Sequence, residues 1–371
     1  MSEELNKWWL NYQLPNYDEI IEDMKNSKER FAAIMSGEYE DEETEKTDII
    51  MDDMQDIKVK DLRRVADFDF QPDKEYLESM PDIQNSPYAP TIPIERVGIH
   101  NFHMPMMVRQ LDGGEQEVIA QITGMVSLEA DKAGINMSRI IRTAYKSMDD
   151  VFDIDTLCTL LENYRRDLDS FEAHIIVRFP YRLWQEALRS VDDEGNPEGG
   201  WKYYNVTFDV NLNRKGEFRK LMYVDFVYSS ACPCSAALSE HAALTRGVYG
   251  IPHSQRSVAR ICMEVDKFVW IENVIDACRK ALLTETLVFC KRQDEQAFAE
   301  LNGAQPKFVE DAARIIATML NDIRGVRDYK VVISHLESLH DHQAISVILK
   351  GLPDSQFTTD VTFDEFESLT R

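Results

Sequence analysis

The sequence predicts an α+β fold in which antiparallel sheets carry helices on one face. Apolar, β-rich runs come in pairs separated by turn residues. Pairs of amphipathic stretches with helical spacing lie between those pairs. The order strand, strand, helix, helix, strand, strand then occurs twice between residues 89 and 352.

The chain opens with an appendage, residues 1–88, that carries a net charge of −14. Its run from Glu38 to Asp56 is dense in like charge and predicts a solvated, partly disordered segment. Pieces around Trp8, Trp9 and Ile20 predict short helices. The proline-punctuated stretch Asn85 to Pro93 reads as a linker.

The first unit spans 89–215. Ile94 to Val108 and Glu117 to Leu128 read as strands, with Asp112-Gly113-Gly114 as the hairpin turn. Met137 to Met148 and Ile154 to Phe171 read as helices, the second with Leu157, Leu160, Leu161 and Tyr164 on one face. Strands return at His174 to Tyr181 and Trp201 to Leu212. The second unit, 216–352, repeats the order. Its strands are Phe218 to Tyr228 and Val258 to Trp270, its helices Ile271 to Leu283 and Phe308 to Leu320, its last strands Tyr329 to His335 and Gln343 to Leu349. A tail, 353–371, follows. Four-stranded units of this kind leave open edges, and oligomerisation into a barrel is the expected remedy.

Composition narrows the function. The chain has 371 residues and 44% hydrophobic residues, enough for a large core. No apolar run is long enough to span a membrane, and the N-terminus lacks the layout of a secretory signal, so a cytoplasmic protein with no membrane partner is expected. The net charge of −25 argues against a nucleic-acid partner. Six scattered cysteines do not suggest a disulfide framework. Cys158, Cys262, Cys278 and Cys290 have apolar neighbours and read as buried hydrophobes. Cys232 and Cys234 flank Pro233 in a loop-like stretch.

Four patches carry possible chemistry. They are Cys232-Pro-Cys234, His253-Ser-Gln-Arg256-Ser, Lys291-Arg292-Gln-Asp-Glu295 followed by Pro306-Lys-Phe-Val-Glu310-Asp, and Glu337-Ser-Leu-His340-Asp-His342. Thiolate, imidazole and carboxylate are the ligand types of a catalytic transition-metal site. Each patch also has an ordinary reading. The Lys291–Glu295 run reads equally as a solvated loop, and Glu310 and Asp311 suit the start of a helix. His174 and His335 read as hydrogen-bonded structural histidines.

The ordered set of pieces resembles GTP cyclohydrolases of type IB, members of the tunnelling-fold superfamily. The resemblance covers roughly Met80 to Gly351. It rests on Val97-Gly-Ile, Lys132 to Arg139, Cys232-Pro-Cys234-Ser, His253-Ser-Gln-Arg-Ser, Lys291-Arg-x-Asp-Glu295, Pro306-Lys-Phe-Val-Glu310-Asp and Glu337-Ser-Leu-His-x-His. It implies a duplicated tunnelling fold in one chain and a homotetramer with active sites at subunit interfaces. The implied reaction turns GTP and water into 7,8-dihydroneopterin triphosphate and formate.

By the same resemblance, Cys234, His253, Glu295 and His340 form the site of a divalent Zn, Mn or Fe ion. Such an ion lowers the pKa of water and so supports attack on C8 of the purine. Cys234, His253 and His342 are the expected catalytic residues, with His253 or His342 moving protons. Glu310 is expected to face the guanine N1–H and 2-amino group. Arg139, Arg256, Lys291 and Arg292 are candidates for the triphosphate. The chain departs from the family pattern in the eighteen residues between Cys234 and His253, an alanine-rich segment read as a lid or surface loop, in Asn136 where a histidine is usual, and in its long acidic N-terminus. Competing readings are an archaeal-like cyclohydrolase with a cyclic phosphate product, an NADPH-dependent nitrile reductase, and a non-catalytic relative that binds a purine or pterin.

Overall fold

The computed structural model describes residues 70–81, 92–147 and 151–361. The expected helices near Trp8 and Ile20, the acidic run 38–56 and most of the 85–93 linker lie outside the described residues. The chain divides into two units, Met1–Pro81 and Asp82–Arg371.

In the first unit, helix α1 (Lys74–Ser79) is capped by Asp73, whose carboxylate accepts from the Tyr76 N–H at 2.8 Å. None of its residues is buried.

The second unit is built on one antiparallel eight-stranded sheet whose strands lie side by side in chain order. Strands β1 (Ile94–Arg109) and β2 (Glu115–Leu128) form the first hairpin. Helices α2 (Met137–Ser147) and α3 (Ile154–Asp167) follow, then β3 (Ala173–Val191) and β4 (Pro197–Leu212). Strand β5 (Phe218–Ala231), helix α4 (Pro233–Arg246) and strand β6 (Ser254–Val265) lead to helices α5 (Ile271–Leu282), α6 (Arg292–Ala304) and α7 (Val309–Asn321). Strands β7 (Val326–His335) and β8 (Ala344–Leu349) close the order.

The period-2 pattern explains the layering. Ala173, Ile175, Val177, Phe179 and Tyr181 alternate along β3 as buried residues, and Met222, Val224, Phe226 and Tyr228 do so along β5. The helices α2, α3, α5 and α7 cover that face. Helix α3 places Ile154, Leu157, Leu160, Leu161 and Tyr164 inward, and a capping box between Asp153 and Thr156 fixes its start. Fully burying each such aliphatic side chain contributes about 1.5–3 kcal/mol. Helix α7 buries Val309, Ala312, Ala313, Ile316 and Leu320 in the same way.

The α+β expectation holds, and the twelve elements expected between residues 94 and 349 are all present. Several details differ. The stretch after Cys232, expected as a loop or lid, is helix α4. Pro233 suits a first helical turn, alanines favour the interior, and Gly247 takes the left-handed conformation that ends it, with φ of 63°. The Lys291–Glu295 patch, readable as a solvated loop, is the start of helix α6. Strand β6 stops at Val265 rather than Trp270. Strands β3 and β4 run past Tyr181 and Trp201 as a two-stranded ribbon, because their outer residues pair only with each other. Cys290, expected in the core, is exposed, and Cys158 is half-buried. Cys262 and Cys278 are buried as expected. The tail packs on the body as far as it is described: the Lys330 ammonium donates to the Asp360 carbonyl at 2.5 Å.

Asn136, the departure from the family's histidine, has a local role. Its side-chain oxygen accepts from the Arg139 N–H at 3.1 Å and the Ser138 hydroxyl at 2.7 Å, capping α2.

Candidate active site

Strand register gathers most of the sequence patches at one end of the sheet. Ala231, the last residue of β5, pairs with Ser254, the first of β6. Ser257 pairs with His335 at the end of β7, and His335 with Ala344 at the start of β8. The Cys232-Pro-Cys234 segment, His253 and the β7–β8 loop therefore leave the sheet together. The Lys307 N–H donates to the Ala231 carbonyl at 3.1 Å and brings the start of α7, with Glu310, to the same end.

Two backbone contacts tie the cysteine segment to the histidine. The Cys232 N–H donates to the His253 carbonyl at 3.1 Å, and the His253 N–H to the Ser235 hydroxyl at 3.3 Å. Cys234 sits exposed in the first turn of α4. His253 Nδ1 lies 3.2 Å from Gln255 Oε1 and 3.5 Å from Glu337 Oε2. Both ion-pair side chains are largely buried, 16% and 12% exposed. Glu337 Oε2 is buried and makes no hydrogen bond. With Nδ1 turned to these oxygens, Nε2 is the nitrogen left for a metal or a substrate proton.

A buried polar layer supports this end. The Ser230 and Ser257 hydroxyls are 2.8 Å apart, and the Gln255 amide donates to Ser230 at 2.8 Å. His335 Nε2 lies 2.7 Å from the Tyr228 hydroxyl. The Lys307 ammonium donates to the Gln305 carbonyl at 2.6 Å, and burial pushes its pKa down to about 8. Burial, reinforced by the Lys307 charge, pushes His335 down to about 4. The structural histidine expected at 335 is thus confirmed, and His174 is likewise hydrogen-bonded, to Asp209 at 2.7 Å.

The remaining predicted residues are less closely gathered. Glu295 is exposed in the first turn of α6, and Arg292 is exposed at its first helical position. Lys291 precedes them and pairs with Glu198 at 2.5 Å. His340 and His342 stack at 4.8 Å between ring centres, both exposed. Arg256 is exposed on β6, paired in register with Ser229. Arg139 donates to the Asp167 carbonyl at 2.7 Å at the opposite end of the sheet, where β2 ends and β3 begins.

Among the described residues, no three His, Cys, Asp or Glu side chains converge closely enough within the chain to hold a metal ion. Cys234, His253, Glu295 and His340 offer the right donor chemistry, but one chain does not close them around a point. The carboxylate brought to His253 is Glu337, not Glu295. Glu337 and Lys307 both lie inside recognised motif pieces; the signal that could have singled out Glu337 is the first carboxylate past an apolar strand, just before a histidine pair.

A sequence model of a family described as type I GTP cyclohydrolase folE2 matches residues 80–346. The chain belongs to the FolE2 family. The GTP cyclohydrolase FolE2 of Roseobacter denitrificans is 44% identical over 305 residues, covering 80% of this chain and 81% of that one. That of Paracoccus denitrificans is 45% identical over 295 residues, covering 78% and 90%. A Cereibacter sphaeroides FolE2 is 46% identical over 297 residues, covering 78% and 81%. Among solved structures, the uricase from Arthrobacter globiformis aligns over 71% of this chain and 95% of its own, at 10% identity and a TM-score of 0.42. The FolE2 match spans every motif piece, from Val97-Gly-Ile to Glu337-Ser-Leu-His-x-His. No helix among the described residues is long and apolar enough to cross a membrane.

Proposed function

We propose that this FolE2 chain is a metal-dependent GTP cyclohydrolase I that converts GTP and water to 7,8-dihydroneopterin triphosphate and formate. The observation that carries this reading is the family match over residues 80–346, which contains every candidate site residue. Cys234, His253, Glu295 and His340 are the residues that would hold a Zn, Mn or Fe ion. When bound, the ion supplies Lewis-acid activation of water for attack at C8.

The chain's own residues do the rest. Gln255, hydrogen-bonded to Nδ1, and the nearby Glu337 carboxylate keep that nitrogen inward and so orient the His253 imidazole. The exposed histidines His340 and His342 lie in the loop after β7, and His342 is the candidate that would move protons during formate release. Glu310, exposed at the start of α7, accepts from the guanine N1–H and 2-amino group together. A base with adenine's donor pattern leaves that carboxylate unmatched and is rejected. Arg256 and Arg292 are free to meet the triphosphate. Lys291 must leave Glu198, and Arg139 must come from another copy, if either is to do so.

This reading includes a duplicated tunnelling fold, a homotetramer whose copies complete one another's sites, and a cytoplasmic setting in which Cys234 stays reduced. No nucleic acid or membrane is involved. The test is to incubate purified protein with GTP, oxidise the product and read neopterin fluorescence, alongside elemental analysis of the same sample. Turnover that stops with a chelator and in Cys234→Ala, with loss of bound metal, supports the reading. Full turnover by a metal-free Cys234→Ala protein overturns it, and a phosphorus spectrum of the product separates the linear triphosphate from a cyclic phosphate.

A further inference from the structure

The outer ribbon of β3 and β4 has an unusual relation to helix α6. Pairing between β2 and β3 stops at Arg178, and pairing between β4 and β5 begins at Val206. Beyond these points the two strands pair only with each other, from Pro180↔Asn205 outward to Val191↔Pro197. A lone two-stranded ribbon is marginally stable. This one is clasped to the segment between Thr284 and Glu300. Gln185 donates to the Thr286 carbonyl at 3.0 Å and accepts from the Val288 N–H at 2.9 Å. Lys291 pairs with Glu198 at 2.5 Å, and Arg189 pairs with Glu300.

At the centre of the clasp is Asp294, fully buried one residue before Glu295. Its Oδ1 accepts from the Arg189 N–H at 2.7 Å and the Ser190 N–H at 3.0 Å. Its Oδ2 accepts from the Lys291 N–H at 2.9 Å and from the Ser190 hydroxyl. A helix-capping carboxylate needs only the bond to Lys291. The other three donors belong to the ribbon, so this carboxylate joins two elements.

We propose that Asp294 is a positioning residue that locks the first turn of α6 onto the β3–β4 ribbon and thereby sets Lys291, Arg292 and Glu295. The proposal rests on the reading that Glu295 belongs to the catalytic site. A mobile α6 terminus would spread Glu295 over positions of which few are productive, and supporting residues of this type typically matter by about 10–100-fold in activity or ligand affinity. The cost falls on turnover through Glu295 and on GTP binding through Lys291 and Arg292, the triphosphate candidates at the same helix start.

The chemistry of the site supplies a selective variant. In Asp294→Asn the amide oxygen can keep the two ribbon N–H groups, while the amide N–H₂ confronts the Lys291 N–H, donor against donor. Residue 294 stays on the ribbon, and the bond to the Lys291 N–H that closes the first turn of α6 breaks, so that turn is freed from the clasp. Ser190→Ala is the milder companion, removing one donor. The experiment compares full-length wild type, Asp294→Asn, Ser190→Ala and Glu295→Gln by thermal melting, hydrogen exchange of residues 291–297 and GTP kinetics. The expected result is faster exchange confined to 291–297 in Asp294→Asn, kcat down about tenfold or more and KM raised, with Ser190→Ala smaller in the same direction. Unchanged exchange overturns the lock, as does unchanged kcat or a loss that only follows the unfolded fraction. If Asp294→Asn does not fold, Ser190→Ala decides by the same readouts. Full turnover by Glu295→Gln beside a slow Asp294→Asn removes Glu295 from the site and keeps the lock, acting through Lys291 and Arg292. If wild type leaves GTP unchanged, the proposed function fails and the exchange comparison alone decides the lock.

Discussion

His335 shows how one buried side chain couples the candidate site to pH. Burial and the neighbouring Lys307 charge push it down to about 4, against an ordinary value of 6.5. Between those values the unfolded chain binds a proton that the folded chain refuses. Stability from this group is therefore complete above pH 6.5 and is lost as pH falls toward 4. The loss amounts to about 3 kcal/mol when complete. His335→Gln keeps a partner for the Tyr228 hydroxyl and carries no such charge. Denaturant titrations of both proteins at pH 7, 5.5 and 4 should show the wild type losing more stability on acidification, the gap closing by roughly that amount. Equal pH slopes would remove His335 from the acid response. The cysteines divide by the same logic of burial. Cys262 is pushed up to about 12 and Cys158 to about 11, chiefly by burial, so neither supplies a thiolate near neutrality. Cys234 is exposed at a helix start, which leaves it open to a ligand.

At the scale of elements, Gly98 explains why Val97-Gly-Ile sits among the motif pieces without touching the candidate site. A Cβ there would stand 2.0 Å from the Gly124 carbonyl oxygen on the paired strand. Gly98→Ala must push β1 off β2, and overpacking of this kind costs about 1–3 kcal/mol. Thermal melting should register the loss, while the kinetics of the folded fraction stay close to wild type, since the contact is remote from Cys234 and His253. Elements of this kind were legible in the sequence wherever one face is buried. Leu157, Leu160, Leu161 and Tyr164 announce α3, and alternation announces the inner parts of β3 and β5. Helices α4 and α6 were not legible as helices because they carry no apolar stripe: α4 buries nothing, and α6 buries only Asp294 and Ala297. The outer β3–β4 ribbon was missed for a related reason. Its Trp184, Leu188, Trp201 and Tyr203 are exposed, so burial imposes no clean period. The site residues were legible as ordered pieces. Their meeting was not, because it depends on register, which places Ala231 opposite Ser254 and Ser257 opposite His335.

The whole molecule raises the question of how a site with the right donors fails to close within one chain. Among the described residues the sheet ends at two edge strands, β1 and β8, and unpaired edges invite pairing with another copy. Cys234 and His253 are tied to each other through Cys232 and Ser235, so one chain supplies both. Glu295 stands on α6, held by the β3–β4 ribbon rather than by that pair. If copies close a barrel, the Glu295 that completes a given site comes from a neighbour. Cys234→Ala and Glu295→Ala are then each inactive alone, yet they complement one another. In a co-expressed mixture, a site that takes its thiol from one subunit and its carboxylate from the next is intact about one time in four, given random assembly in a closed ring. Tandem affinity purification through two different tags isolates the mixed oligomers, and light scattering gives their size. Recovery of roughly a quarter of wild-type turnover is the expected outcome. Mixed oligomers as inactive as their parents would place Cys234 and Glu295 in the same subunit's site, and the gap between them would then have to close by movement of α6 within the chain.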